Sequence, residues 1–184
     1  LSDTDLAFLM ANDSDLYNRW QAAQDYATRV LVDAVKAIRA GKRPAKPSAF
    51  VGALGVTLRD ASLEPGYRAQ FMFLPSESDL ARVIARDVDP LAIHKARKAL
   101  RKAIGITHYR ALVETYRDYE PKGSYSPAPE AAGKRALRNA ALGYLVSRGR
   151  AEDIARVVAH FANATNATDE VSALAMLSEL RSPE

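Results

Sequence analysis

From Leu16 onward, apolar residues recur at Leu16, Trp20, Ala23, Ala27, Val30, Leu31, Ala34, Val35 and Ile38. This alternating spacing of three and four lies along one face of a helix, so the pattern predicts one long amphipathic helix. Asn12 to Ser14 offer capping oxygens ahead of it, and Lys36, Arg39 and Gly41 close it. They do so with positive charge at the negative end of the helix dipole and a residue tolerant of left-handed geometry. Pro44 and Pro47 then forbid continuation, and Ser48 offers a cap for a shorter helix carrying Phe50, Val51, Leu54 and Leu58.

The same rhythm repeats to the end of the chain. "SLEPGYRAQFMFLPSES" predicts a short helix ended at Pro75, and Ser76 with Asp79 starts another that carries Leu80, Val83 and Ile84. Asp89 as cap and Pro90 at the first helical position open a helix with Ile93, Ala96, Leu100, Ile104, Leu112 and Tyr116 on one face and a bend at Gly105. "EPKGSYSPAPE" is a loop, followed by a helix with Leu137, Ala141, Tyr144 and Leu145 together and an end at Gly149. Two last helices carry Ile154, Val157, Val158 and Phe161, and Val171, Leu174 and Leu177, on either side of "NATNATD". No segment alternates as a strand would. The expected fold is all-α, with antiparallel helix hairpins stacked as an α-α superhelix or solenoid, in a single helical domain over residues 1–184.

Composition narrows the chemistry. Hydrophobic residues at 48% and charged residues at 26% are ordinary for a globular chain. The absence of cysteine excludes disulfides, thiolate metal sites and cysteine nucleophiles, and suits a reducing cytoplasm. No apolar run is long enough for a membrane helix. The net charge of +4 permits an acidic partner, but Lys and Arg alternate with Asp and Glu along most of the chain. In "HKARKALRK", Lys95, Lys98 and Lys102 fall on one stripe. That stripe either faces phosphates or is the wet side of the helix; no aromatic residues interleave with it as a single-strand platform requires.

No catalytic, cofactor-binding or metal residue emerges. An H-E-x-x-H helix is absent, and His94, His108 and His160 stand too far apart in sequence to share a helical face. Phosphate-binding glycine loops and a G-x-S-x-G elbow are absent as well. The N-x-T sequences at Asn163 and Asn166 read either as glycosylation acceptors or, with Thr168, as helix stop and cap.

Five segments carry a resemblance: "LYNRWQAAQ" (16–24), "FLPSESDLA" (73–81), "VDPLAIHKAR" (88–97), "GKRALRNAALGYL" (133–145) and "ANATNATDEVSALAMLSEL" (162–180). In this order they resemble the C-terminal helical domain of the bacterial aminopeptidase N (alanyl aminopeptidase) family, zinc metallopeptidases of the gluzincin type. The resemblance implies a non-catalytic piece of an enzyme that removes N-terminal residues from peptides. Zinc, the catalytic glutamate and the G-A-M-E-N stretch belong to a catalytic domain that no segment here matches. It also implies that this piece covers the active-site cleft and limits access to it. Its partners are then the other domains of the same polypeptide, with peptides as substrate of the parent enzyme, and "ELRSPE" is a cut inside the helical domain.

Arg19, Trp20 and Gln24 in the first signature, and Arg135, Arg138 and Asn139 in the fourth, are the expected interdomain or structural anchors. Trp20 reads either as core or as a contact to a neighbouring domain, and the Arg135 group either as helix-to-helix bonding or as a binder of acidic surfaces or carboxylates. Surfaces made to meet another domain would also favour a non-physiological dimer of the isolated chain. Two other functional classes stay open: a free-standing helical-repeat scaffold for protein partners, and a basic nucleic-acid-binding module.

Overall fold

The computed structural model describes residues 1–180, and among these the chain forms ten helices and no strand. The helices are α1 (Asp3–Asn12), α2 (Leu16–Arg39), α3 (Ser48–Arg59), α4 (Pro65–Phe71), α5 (Glu77–Ile84), α6 (Pro90–Thr107), α7 (Tyr109–Asp118), α8 (Pro129–Val146), α9 (Ala151–Ala162) and α10 (Ala167–Ser178). The all-α expectation is met. The closing "RSPE" of the expected cut lies outside the described residues.

Two compact units make up the chain. One comprises Leu1–Ala61 and Phe71–Ile104, the other Ser62–Gln70 and the chain from Gly105 onward. In the first, α1 packs against α2 and α3, and α2 against α5. Leu6 and Met10 of α1, Tyr26 and Leu31 of α2, and Phe50 and Leu54 of α3 are all buried, and the Tyr26 and Phe50 rings meet edge to face at 5.5 Å. In the second, α7 and α8 pair, α9 and α10 pair, and both of the latter touch α8. Leu142, Val146, Val157, Ala173 and Met176 form a core there, with Tyr116, Ile154, Leu177 and Leu180 against it.

Several local expectations need correction. Helix α1 was not anticipated; a capping box, Ser2 with Asp5, starts it. The cap of α2 is Asp15 rather than Asn12 to Ser14, because Asp15 Oδ1 accepts from the Asn18 amide at 2.9 Å. Ser48 is already helical and Pro47 holds the cap position without a side-chain bond. The helix from Pro90 continues through Gly105 to Thr107 and is interrupted at His108, the residue before α7, rather than running on to Tyr116. Asn166, not Thr168, caps α10 through the Asp169 amide at 3.0 Å. The expected box at Ser76 and Asp79 and the bond from the Ala92 amide to Asp89 are both present.

Glycine is required at two close approaches between helices. A Cβ on Gly133 of α8 would stand 2.9 Å from the Gly66 amide of α4, and one on Gly105 would stand 2.3 Å from the Tyr144 carbonyl oxygen. Only residues without a side chain permit those approaches.

Candidate functional site

The first group of expected anchors sits at the start of α2. Arg19, not Trp20, takes the buried position: Arg19 is 7% exposed, whereas Trp20 is half-buried beside the 67%-exposed Tyr17, with ring centroids 6.0 Å apart. The buried stripe runs Arg19, Ala22, Ala23, Tyr26, Ala27, Leu31, Val35, which puts Leu16 and Trp20 on its flank rather than at its centre. A guanidinium is stable there because its donors are used. Arg19 Nε donates to the Met10 carbonyl at 3.3 Å and to Thr57 Oγ1 at 3.2 Å, Nη2 donates to Thr57 Oγ1 at 2.9 Å, and Nη1 lies 3.7 Å from Asp60. One side chain thereby ties α1, α2 and α3. Gln24 Nε2 donates to the Phe73 carbonyl at 2.9 Å, pinning the chain beyond α4 to α2.

The second group lies on α8 and is likewise buried. Arg138 donates from Nε to the Tyr116 carbonyl at 3.2 Å and from Nη1 to His160 Nδ1 at 3.2 Å, and its guanidinium stands over the Tyr116 ring at 4.4 Å. Its Nη2 reaches Glu120 at 3.3 Å. An arginine only donates, so His160 Nδ1 is the acceptor and the proton of the neutral ring sits on Nε2. That nitrogen faces Asp169 Oδ1 at 3.9 Å, beyond hydrogen-bond reach. Burial first, and then Arg138, hold the His160 imidazole below its ordinary pKa, with Asp169 opposing. Asn139 Nδ2 and Asn166 Nδ2 both donate to the Asp169 carboxylate at 2.8 Å. The third expected member, Arg135, donates from Nη1 to the Ser126 carbonyl at 2.7 Å and stacks on the Tyr125 ring at 4.7 Å.

A further buried cluster escaped the sequence reading. Asp153, fully buried on α9, pairs with Arg156 one turn on and with Arg148 Nη1 at 3.1 Å, and Arg148 covers the Tyr109 ring at 3.8 Å. Burial raises the Asp153 carboxyl above its ordinary value while both arginines oppose. The only signal available beforehand was Asp153 three residues ahead of Arg156, a spacing that usually marks an exposed helical pair. The stripe of Lys95, Lys98 and Lys102 is exposed on α6.

Among the described residues no group of three or more His, Asp or Glu side chains is placed to hold a metal ion, and no helix is long and apolar enough to cross a membrane. What the buried polar groups do is bond helix to helix.

The architecture is that of a helical-repeat protein. More particularly, the chain belongs to the family described as "Domain of unknown function (DUF3458_C) ARM repeats", whose model matches residues 3–184. It is 36% identical over 173 residues to aminopeptidase N of Caulobacter vibrioides, covering 93% of this chain and 19% of that protein. It is 29% identical over 173 residues to aminopeptidase N of Escherichia coli, covering 94% of this chain and 20% of that protein. The chain thus spans about a fifth of the length of these curated relatives. A crystal structure of Legionella pneumophila aminopeptidase A in complex with aspartic acid has the same fold, with a TM-score of 0.78 at 23% identity over 97% of this chain and 21% of that one.

Proposed function

We propose that residues 1–184 form a single helical domain, the first part of the larger non-catalytic C-terminal helical domain of a zinc-dependent aminopeptidase that releases N-terminal amino acids from peptides. Its work is to cover the active-site cleft and restrict which substrates reach it, a gating by shape that keeps bulk water and folded proteins from the reacting groups. The observation that carries this reading is coverage: two proteins named aminopeptidase N align with nearly all of this chain, while it spans a fifth of each.

Two features of the helices support it. Val158 and Phe161 on α9, and Val171 and Leu174 on α10, are exposed pairs three residues apart. A terminal repeat of a helical array presents a polar outer face, so apolar pairs there suit helices that continue in the same polypeptide. The same pairs favour association of the isolated chain into a non-physiological dimer. At the other signature, the half-buried Trp20 beside exposed Tyr17 offers an aromatic contact to a neighbouring domain.

The zinc of this proposal resides in the catalytic domain. The donors of this chain do not fit such a site: of the carboxylates, His94 meets only Glu77 and His160 only Asp169, and no third His, Asp or Glu side chain joins either pair to complete a metal-binding group among the described residues. The parent enzyme works in the cytoplasm in this reading. The test expresses the reading frame that surrounds residues 1–184 alongside this chain alone, and follows hydrolysis of alanine 4-nitroanilide with and without zinc. Zinc-dependent hydrolysis by the longer polypeptide alone is expected. Hydrolysis by the 184-residue chain above a metal-free control, or none by the longer polypeptide, overturns the reading.

A further inference from the structure

In the second unit, the loop after α7, the first turns of α8 and the link between α9 and α10 enclose a groove of about 490 Å³. That is the size of a small-ligand site. Three independent observations give it a chemistry. First, Arg135 lines the groove and is 8% exposed, yet among the described residues its only partners are the Ser126 carbonyl and the Tyr125 ring. Its Nε is buried without a hydrogen-bond partner, and no carboxylate among the described residues pairs with it. A guanidinium removed from water without a counter-charge is costly, and an anion supplied from outside relieves that cost.

Second, α8 begins at Pro129 with no side-chain cap, so the amides of its first turn, at Glu130 and Ala131 on the groove wall, have no side-chain acceptor. The positive end of an 18-residue helix therefore faces the same space. Third, the remaining charges of the groove set the valence of the guest. Glu130 is paired with Lys134 and Glu120 with Arg138, which leaves Arg135, Lys122 and Asp118 without an ion-pair partner among the described residues. One net positive charge matches a monoanion better than a dianionic phosphate. The rest of the wall is aromatic and apolar: Tyr125, Pro121, and Tyr119, whose hydroxyl accepts from Arg68 Nη1 at 2.9 Å.

We propose that this groove binds the carboxylate of a small organic molecule with an apolar or aromatic body, of the kind found at the free C-terminus of a short peptide. The carboxylate meets Arg135 and the first-turn amides of α8, and the body lies against Tyr119 and Tyr125. This site belongs to the helical domain itself and does not depend on which polypeptide carries it.

The test titrates the ¹⁵N-labelled chain with acetyl-Phe-Leu bearing a free C-terminus, with its C-terminal amide, and with inorganic phosphate. The free acid is expected to shift the Glu130 and Ala131 amide resonances and to bind at least tenfold more tightly than the amide, with phosphate failing to displace it at equal concentration. Arg135→Gln should weaken the acid at least tenfold, and Arg135→Lys should retain part of the affinity. Equal binding of acid and amide, displacement by equimolar phosphate, absence of any shift, or full binding by a folded Arg135→Gln chain each overturns the proposal. Should Arg135→Gln fail to fold, the comparison of acid, amide and phosphate on the unaltered chain decides it.

Discussion

Arg19 and Thr57 lie 38 residues apart in sequence, yet two guanidinium nitrogens donate to the one Thr57 hydroxyl oxygen at 3.2 and 2.9 Å. The Thr57 hydroxyl in turn donates to the Met10 carbonyl at 3.3 Å, which Arg19 Nε also contacts. Buried groups bonded in this way are expensive to orphan. Arg19→Met should lower unfolding stability by about 2–3 kcal/mol, and Thr57→Val by about 1–2 kcal/mol. Because both changes strip the same bonds, the double variant should cost less than the sum of the two. Urea denaturation of the four chains checks this; strict additivity would show that the two residues act separately.

Gly105→Ala should destabilise the chain although alanine is the better helix former by about 1 kcal/mol. The added methyl would stand 2.3 Å from the Tyr144 carbonyl and 3.2 Å from Arg148 Cγ, so backbone must move. A net loss of about 2–3 kcal/mol, in the range of overpacked cores, is expected in thermal or urea unfolding. A gain in stability would show that the two helices separate freely.

Ala85, at the end of α5, has a φ of +63°, in the region where a Cβ costs about 1–2 kcal/mol. It is exposed, so a change there disturbs no packing. Ala85→Gly should therefore raise the midpoint of unfolding, with a gain of about 1 kcal/mol after the larger entropy of glycine in the unfolded chain is subtracted. An unchanged or lowered midpoint would contradict the strain.

The pH dependence of stability has a definite sign at His160. Its folded pKa lies below 6.5 and its unfolded value near 6.5, so between the two the unfolded chain binds the extra proton. The contribution is fully present above about pH 6.5 and is lost as pH falls through the folded value, with a slope of at most about 1.4 kcal/mol per pH unit. Asp153 works with the opposite sign, since its folded pKa is raised: its contribution is present below its ordinary unfolded value and is lost as pH rises through the folded one. Urea midpoints measured from pH 8 to 5 should fall, and His160→Gln should flatten that decline; an equal decline in the variant would assign it elsewhere.

How legible the molecule was in its sequence depended on what each residue type ordinarily does. Apolar spacing and turn residues located eight helical stretches, one of which the structure divides into α6 and α7, because burial of aliphatic side chains sets the period. The face of α2 was misjudged by about one position, since an arginine counts as polar in any pattern and nothing local announces that a carbonyl and a threonine from two other helices will satisfy it. The apolar stripes of α9 and α10 misled in the opposite way: Val158, Phe161, Val171 and Leu174 face outward, while Asp153, His160 and Asp169 turn in. Such exchanges are decided by partners far along the chain. The groove beside Arg135 was invisible for the same reason, being assembled from three separate stretches. Arg135, Arg138 and Asn139 were singled out together, yet they reach three different sets of partners.

The contact between Gly66 and Gly133 bears on the order in which the chain assembles. Helix α4 has seven residues, far fewer than a helix needs to persist alone in water. Its register is held where the Gly66 backbone presses on that of Gly133, a surface that exists only once α8 has formed. In kinetic terms α4 is expected to be a follower: if its native interactions form on the descent from the folding barrier, substitutions within it should speed unfolding and leave the refolding rate nearly untouched, which stopped-flow folding kinetics of such variants would check.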